Sequence, residues 1–223
     1  IYGSDAIGGV MSFSTLKPQL SKDTTTLVKG SAYSRFSSAN QERSQHFDIN
    51  VGGQKWAYRA SLSYSNYGDL RMGTNGSDQL LRPWSVQRLD SVDRVVRNKD
   101  PELQLNTGFE QFNTLQKLLY KPNAHWDIEY AFHYSTTSNY DRYDRLIRTQ
   151  NDVPRAAEWF YGPQVWMMNK VELNYRERTK LADKITLRLA QQNFEESRND
   201  RDFQSTKLFH KVEKVAAYSL NLD

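Results

Sequence analysis

Apolar and polar residues alternate along much of this chain. Trp56, Tyr58, Ala60, Leu62 and Tyr64 fall on one side, and Ala57, Arg59, Ser61, Ser63 and Ser65 on the other. The pattern returns at Trp126, Ile128, Tyr130, Phe132 and Tyr134 against Asp127, Glu129, Ala131, His133 and Ser135. It returns again at Ile185, Leu187 and Leu189 against Thr186, Arg188 and Ala190. A period of two is the signature of a strand, whose successive side chains point to opposite faces. Each segment therefore has one apolar and one polar face. In a soluble sandwich the apolar faces meet inside; in a transmembrane barrel they meet lipid, and the polar faces line the lumen.

Eight strands are predicted, at about 26–37, 43–53, 55–67, 112–120, 124–138, 165–178, 183–197 and 207–222. Most are long: transmembrane strands take about 9–11 residues, soluble strands about 5–6. Tight turns at Gly52–Lys55, Lys121–Ala124 and Thr179–Ala182 alternate with long connections at about 68–111, 139–164 and 198–206. An up-and-down meander puts alternate connections at opposite ends. Short turns at one end and long loops at the other is the asymmetry of outer-membrane barrels. Aromatics mark both ends: Trp56, Tyr120 and Trp126 beside the short turns, and Tyr64, Tyr67, Tyr134 and Trp166 towards the long loops. Two interfacial girdles predict such a placement, although aromatics also favour strands generally. The expected fold is all-β, an antiparallel up-and-down meander of about eight strands.

Composition narrows the function. The 223 residues are only 38% hydrophobic but 13% aromatic, and mean hydropathy is −0.79, very polar for a large dry core. No stretch approaches the length of a transmembrane helix, which a barrel does not need. With no cysteine there is no disulfide or thiolate site. A net charge of +4 with interspersed signs argues against nucleic acid. Neither a phosphate-binding loop nor a dinucleotide fingerprint is present. The chain opens at Ile1 without Met or a signal segment, which reads as a piece of a longer precursor.

The opening is distinctive. Tyr2-Gly3-Ser4-Asp5-Ala6-Ile7-Gly8-Gly9-Val10, followed by Met11-Ser12-Phe13, resembles the stretch that closes the plug of TonB-dependent outer-membrane receptors. Tyr2, Gly3, Ala6, Gly8 and Gly9 carry the match. Met11–Thr15 reads as a short strand, and Pro18 ends it. The expected organisation is plug end at 1–18, linker at 19–25, and barrel strands at 26–223. The resemblance implies a 22-stranded barrel, open in this fragment, in the bacterial outer membrane. It further implies active uptake of a scarce nutrient such as an iron chelate, haem or cobalamin, with no cofactor and no covalent chemistry. The implied partners are TonB with its inner-membrane energising complex (through a TonB box outside this chain), outer-membrane lipid and lipopolysaccharide, and a small-molecule or chelate ligand. The chain departs from the family pattern in lacking most of the plug.

Candidate ligand residues lie in the long connections. Tyr, Trp and Arg dominate binding hot spots. Arg82, Trp84, Tyr140, Arg142, Tyr143, Arg145, Arg148, Arg155, Trp159 and Tyr161 fit a mouth for a bulky or anionic chelate. The alternative is local pairing with Asp141, Asp144 and Glu158. In the longest connection, Leu89, Val92, Val95 and Val96 suggest a packed cap. His46, His125, His133 and His210 form no metal-ligand spacing. His133 and Ser135 share a strand face but lack a third member for hydrolysis. Three other readings remain: a small non-transporting eight-stranded membrane barrel with a structural or adhesive role, a soluble ligand-binding β-barrel, and an outer-membrane hydrolase.

Overall fold

The structure, a computed structural model, describes residue 11, residues 14–177 and residues 182–223. The motif residues Tyr2, Gly3, Ala6, Gly8 and Gly9 lie outside the described residues. Eight long strands form the wall: β1 (Leu27–Ser37), β2 (Glu42–Gly52), β3 (Trp56–Tyr67), β4 (Phe109–Tyr120), β5 (Trp126–Thr137), β6 (Val165–Tyr175), β7 (Ile185–Asp202) and β8 (Phe209–Leu222). Each pairs antiparallel with the next in chain order. Tyr140–Asp141 and Ala156–Tyr161 add two short strands beside the far end of β7, making a ten-stranded sheet. β1 and β8 do not pair with each other, so the sheet is open.

All eight predicted strands are present, three of them with a bound shifted by three residues or more; β6 ends at Tyr175, short of the expected 178. β4 begins at Phe109 because Tyr67 still pairs there. β7 runs to Asp202 because Ala156–Tyr161 flanks it on one side and β8 on the other. The connection expected at 198–206 is thereby cut to 203–208. Ser14 and Thr15 are not strand, contrary to the short strand expected at Met11–Thr15.

The register aligns the alternation across the whole sheet. Val51, Tyr58, Leu118, Tyr130, Val171, Leu189 and Leu220 form one continuous cross-strand row. This apolar face is the open one, whereas the polar face is crowded. Leu118 is 47% exposed, and its neighbour Lys117 only 5%. Arg59, Lys117, Glu129 and Glu172 are buried, while Leu62, Tyr130 and Leu189 are exposed. Among the described residues the buried hydrophobic side chains are only Ala57, Ala131, Leu146 and Ala156. Charges tolerate burial only when paired, and these are. Arg59 donates to Asp48 at 2.7 Å. Lys117 lies 3.4 Å from Glu129, and Lys170 and Arg188 lie 2.8 and 3.2 Å from Glu172.

The apolar face carries one band of amides. Gln116 accepts from the Tyr58 hydroxyl at 3.2 Å. Asn169 accepts from the Tyr130 hydroxyl at 2.7 Å and donates to Gln191 at 3.2 Å. Aromatics close this face at both ends. Trp56 pairs with Tyr120, and Trp126 with Tyr175, at the short-turn end. Tyr64 pairs with Phe112 at the other, with Tyr134 on the same face. Tyr67 and Trp166, expected in that girdle, have the opposite parity and lie on the polar face.

Residues 15–21 run along the polar face. Gln19 N–H donates to Asn50 Oδ1 at 2.7 Å, and Asn50 Nδ2 donates back to Gln19 O at 3.0 Å. Lys117 Nζ donates to Thr15 O at 3.4 Å. Gly52 permits this approach, because a Cβ there would strike the Gln19 carbonyl.

Candidate ligand-binding site

The two longest connections fold against each other at one end of the sheet. In the first (68–108), Trp84–Leu89 pairs with Val92–Arg97. Asp90 and Ser91, at φ of 49° and 65°, make the two-residue turn whose twist suits a hairpin. Leu70–Arg71 pairs with Leu103–Gln104 at its base. The expected apolar cap does not form, for Leu89, Val92 and Val95 are exposed. Charge holds the hairpin instead. Asp93, with a fully buried carboxylate, accepts from Arg201 at 2.7 and 3.0 Å and from Gln204 N–H at 2.8 Å. These donors, Arg201 first, hold the Asp93 carboxyl below the usual carboxylate range. Arg201 also reaches Glu158 at 2.7 Å.

The second connection (138–164) holds a short helix, α1 (Tyr143–Leu146), then a small hairpin, Thr149–Gln150 with Val153–Pro154, then Ala156–Tyr161 along β7. Gly162, at φ 106°, turns the chain back into β6, and a Cβ there would meet Ser138 O at 2.7 Å. Alternation gives Ala156–Tyr161 two faces. Glu158 and Phe160, opposite Arg201 and Asn199, share the side of Asp93 and the first connection. Trp159 and Tyr161, opposite Asp200 and Arg198, share the parity of the polar face.

On that second side a row of rings forms. Trp159 packs edge-on to Tyr161 at 5.1 Å, Tyr161 against Tyr140 at 6.0 Å, Tyr140 against Phe109 at 5.6 Å, and Phe109 against Tyr67 at 4.7 Å. Arg142 lies over Trp159 and Tyr161 at 5.5 and 5.3 Å, and Arg145 over Trp159 at 5.4 Å. Arg142 is also bound to Asp144 at 2.8 Å. Beside Trp159, a cleft of about 130 Å³ is lined by Arg145, Arg148, Arg155, Asp200 and Asp202.

Arg82 sits between the two connections. It donates to Leu105 O at 2.8 Å, lies 5.7 Å over the Tyr143 ring, and leaves its buried Nε without an acceptor. Burial lowers its pKa. Nearby, Asp141 N–H donates to Asn106 O at 3.0 Å, and burial pushes the Asp141 carboxyl up to about 6. The Tyr143 hydroxyl donates to Leu80 O.

Of the residues singled out in the sequence, Tyr140, Arg142, Arg145, Arg148, Arg155, Trp159 and Tyr161 therefore come together on one side. Arg82 and Tyr143 meet in the seam behind it. Trp84 stands at the foot of the hairpin, half-buried and apart from the ring row. Sequence reasoning missed Asp93, Arg201, Asp200 and Asp202. The Asp90-Ser91 and Asn151-Asp152 pairs, both at positive φ, were the readable signals for the two small hairpins.

Among the described residues no three His, Asp or Glu side chains are grouped to hold a metal. Ser135 Oγ donates to Asn113 at 2.7 Å, and His133 packs on Trp166 at 5.8 Å, so the two form no relay. No described helix is long and apolar enough to cross a membrane. No protein-family model, curated protein or solved structure matches the chain.

Proposed function

We propose that this chain forms part of the wall and mouth of a TonB-dependent receptor in the bacterial outer membrane, which takes up an iron chelate, haem or cobalamin. One observation carries the reading: the sheet is inverted relative to a soluble protein. Its apolar side chains are open, and its charged side chains are crowded and paired. Soluble monomers rarely expose apolar patches beyond a few hundred Å², whereas a barrel wall must present such a face to lipid. Wall strands of 11 or 12 residues support it. At about 3.3 Å per residue they span a bilayer when tilted. The sequence of residues 2–13 adds the link to the receptor family. Residues 15–21, bonded to the polar face, suit a linker leaving a plug inside the barrel.

On this reading ligand binds at the long-loop end, and TonB, pulling on a box outside this chain, remodels the plug. The chain does no covalent chemistry. A small closed barrel would require β1 to pair with β8, and a soluble ligand-binding barrel would require apolar faces turned inward. Uptake of labelled iron chelates, haem and cobalamin, by cells expressing the complete reading frame with and without TonB, tests the proposal. Uptake of one of them that vanishes without TonB is expected. Uptake of none, or uptake indifferent to TonB, would contradict it.

A further inference from the structure

The cleft beside Trp159 gathers three arginines and two aspartates that form no ion pair with one another. Asn151-Asp152 turns the small hairpin so that Arg148 and Arg155 flank it, and Arg155 N–H donates to Arg148 O at 3.0 Å. The two side chains thus start from opposed positions on the ladder, where like charges repel. Arg145, on α1, adds a third guanidinium to the same cleft. Among the described residues Arg148 and Arg155 form no ion pair, and Arg148 Nε donates to the Asp144 backbone O at 3.1 Å. Arg145 has a 3.5 Å contact with Asp144, whose carboxylate already accepts two bonds from Arg142. The atom making that contact is the buried Arg145 Nε, whose geometry there does not form a hydrogen bond. Asp200 and Asp202 line the same cleft but form no ion pair with the three arginines.

We propose that this cleft is an oxyanion subsite. It takes a single carboxylate or phosphate of a soluble ligand whose ring body packs beside Trp159, the aromatic side chain that lines the cleft. The volume sets the limit. At about 130 Å³ the cleft falls below the roughly 300–1,000 Å³ of pockets that enclose a whole drug-sized ligand, so it suits one acidic group of a larger ligand. The guanidinium forks match the bidentate geometry of carboxylate and phosphate. Asp200 and Asp202 repel a second anionic group on their side, so the ligand turns a hydroxyl or ammonium donor towards them. The inference rests on the receptor reading for the supply of ligand, but its test needs neither TonB nor an energised membrane.

The test is calorimetric titration of the purified, detergent-solubilised full-length protein with two probes: benzene-1,3,5-tricarboxylate, a flat ring with acid groups, and inorganic pyrophosphate, an anion without a ring. Both should bind, more weakly as salt rises. The double variant Arg148→Gln/Arg155→Gln should lose at least tenfold in affinity for both, and Arg148→Lys/Arg155→Lys should keep most of it. Trp159→Ala should weaken the tricarboxylate more than pyrophosphate. Circular dichroism checks that the variants fold; the glutamine pair removes a repulsion and should fold normally. Equal binding by the glutamine variant and wild type, or no binding of either probe to wild type, overturns the subsite. Displacement of both probes by lipid A vesicles at lower concentration than either probe would also overturn it, by making lipid phosphate the occupant. An uptake assay that fails while the titration succeeds refutes the transport reading alone.

Discussion

Arg201 and Asp93 tie three parts of the chain together at one point: the hairpin 84–97, the strand Ala156–Tyr161 through Glu158, and the far end of β7. Their side chains are 5% and 0% exposed. A buried pair gains little over an apolar one, but removing one partner strands the other, at a cost of about 3–5 kcal/mol. Arg201→Ala should therefore release the hairpin and leave the wall folded. Hydrogen exchange should show residues 84–97 losing protection while β2–β5 keep theirs. Unchanged protection at 84–97 would mean that other contacts hold the hairpin. The sequence placed neither residue in this role. Two charges separated by more than a hundred positions in mixed-charge segments carry no pairing signal, whereas the valines and leucines nearby suggested an apolar cap. The Arg and Tyr of 139–161 were legible as a group by composition. Their division between a ring row, an arginine cleft and a seam depends on strand parity beyond β7's expected end.

At the scale of elements, the two long connections meet through carboxylates of opposite behaviour. Asp141 is held up to about 6 by burial, above the roughly 3.9 of an unfolded Asp. The folded seam therefore binds an extra proton between those values, and its stability rises as pH falls through 6. Asp93 is held low, chiefly by Arg201. Its contribution is present above about 3.9 and is lost as pH falls through its lowered folded value. The seam should be tightest near the unfolded Asp value of roughly 3.9, and already tighter at pH 5 than at neutral pH. Protection of residues 104–108 and 140–146, corrected for intrinsic exchange, should be greater at pH 5 than at pH 7.5. Asp141→Asn should abolish that difference, and a difference that survives the substitution would contradict the assignment. The wall was far more legible than this seam. Alternation fixes strand and face together, and β3, β5 and the start of β7 carry it plainly. The connections contain two-residue turns and a one-turn helix, too short for any period to show. The parity of Tyr67 and Trp166 was readable from their strands. Their aromatic character pointed instead to the girdle.

For the whole molecule, a membrane wall requires that one face of the sheet meet lipid and the other not. The two faces differ by one residue in register, so neighbouring positions such as Lys117 and Leu118 give opposite answers. The chain has no cysteine, so single cysteines placed in it report without background from its own residues, and any cysteine elsewhere in the full-length protein is first replaced by serine. Cysteines at Leu62, Leu118 and Val171 probe one face, and at Ser63, Ser135 and Met168 the other. In the full-length protein reconstituted into bilayers, each would carry a spin label, read by collision with oxygen in the lipid phase and with a water-soluble paramagnet. Leu62, Leu118 and Val171 should be accessible to oxygen and shielded from the soluble agent. Ser63, Ser135 and Met168 should show no lipid contact. Water-soluble access at all three apolar positions, or lipid contact on the polar face, would contradict the membrane wall and the receptor reading built on it.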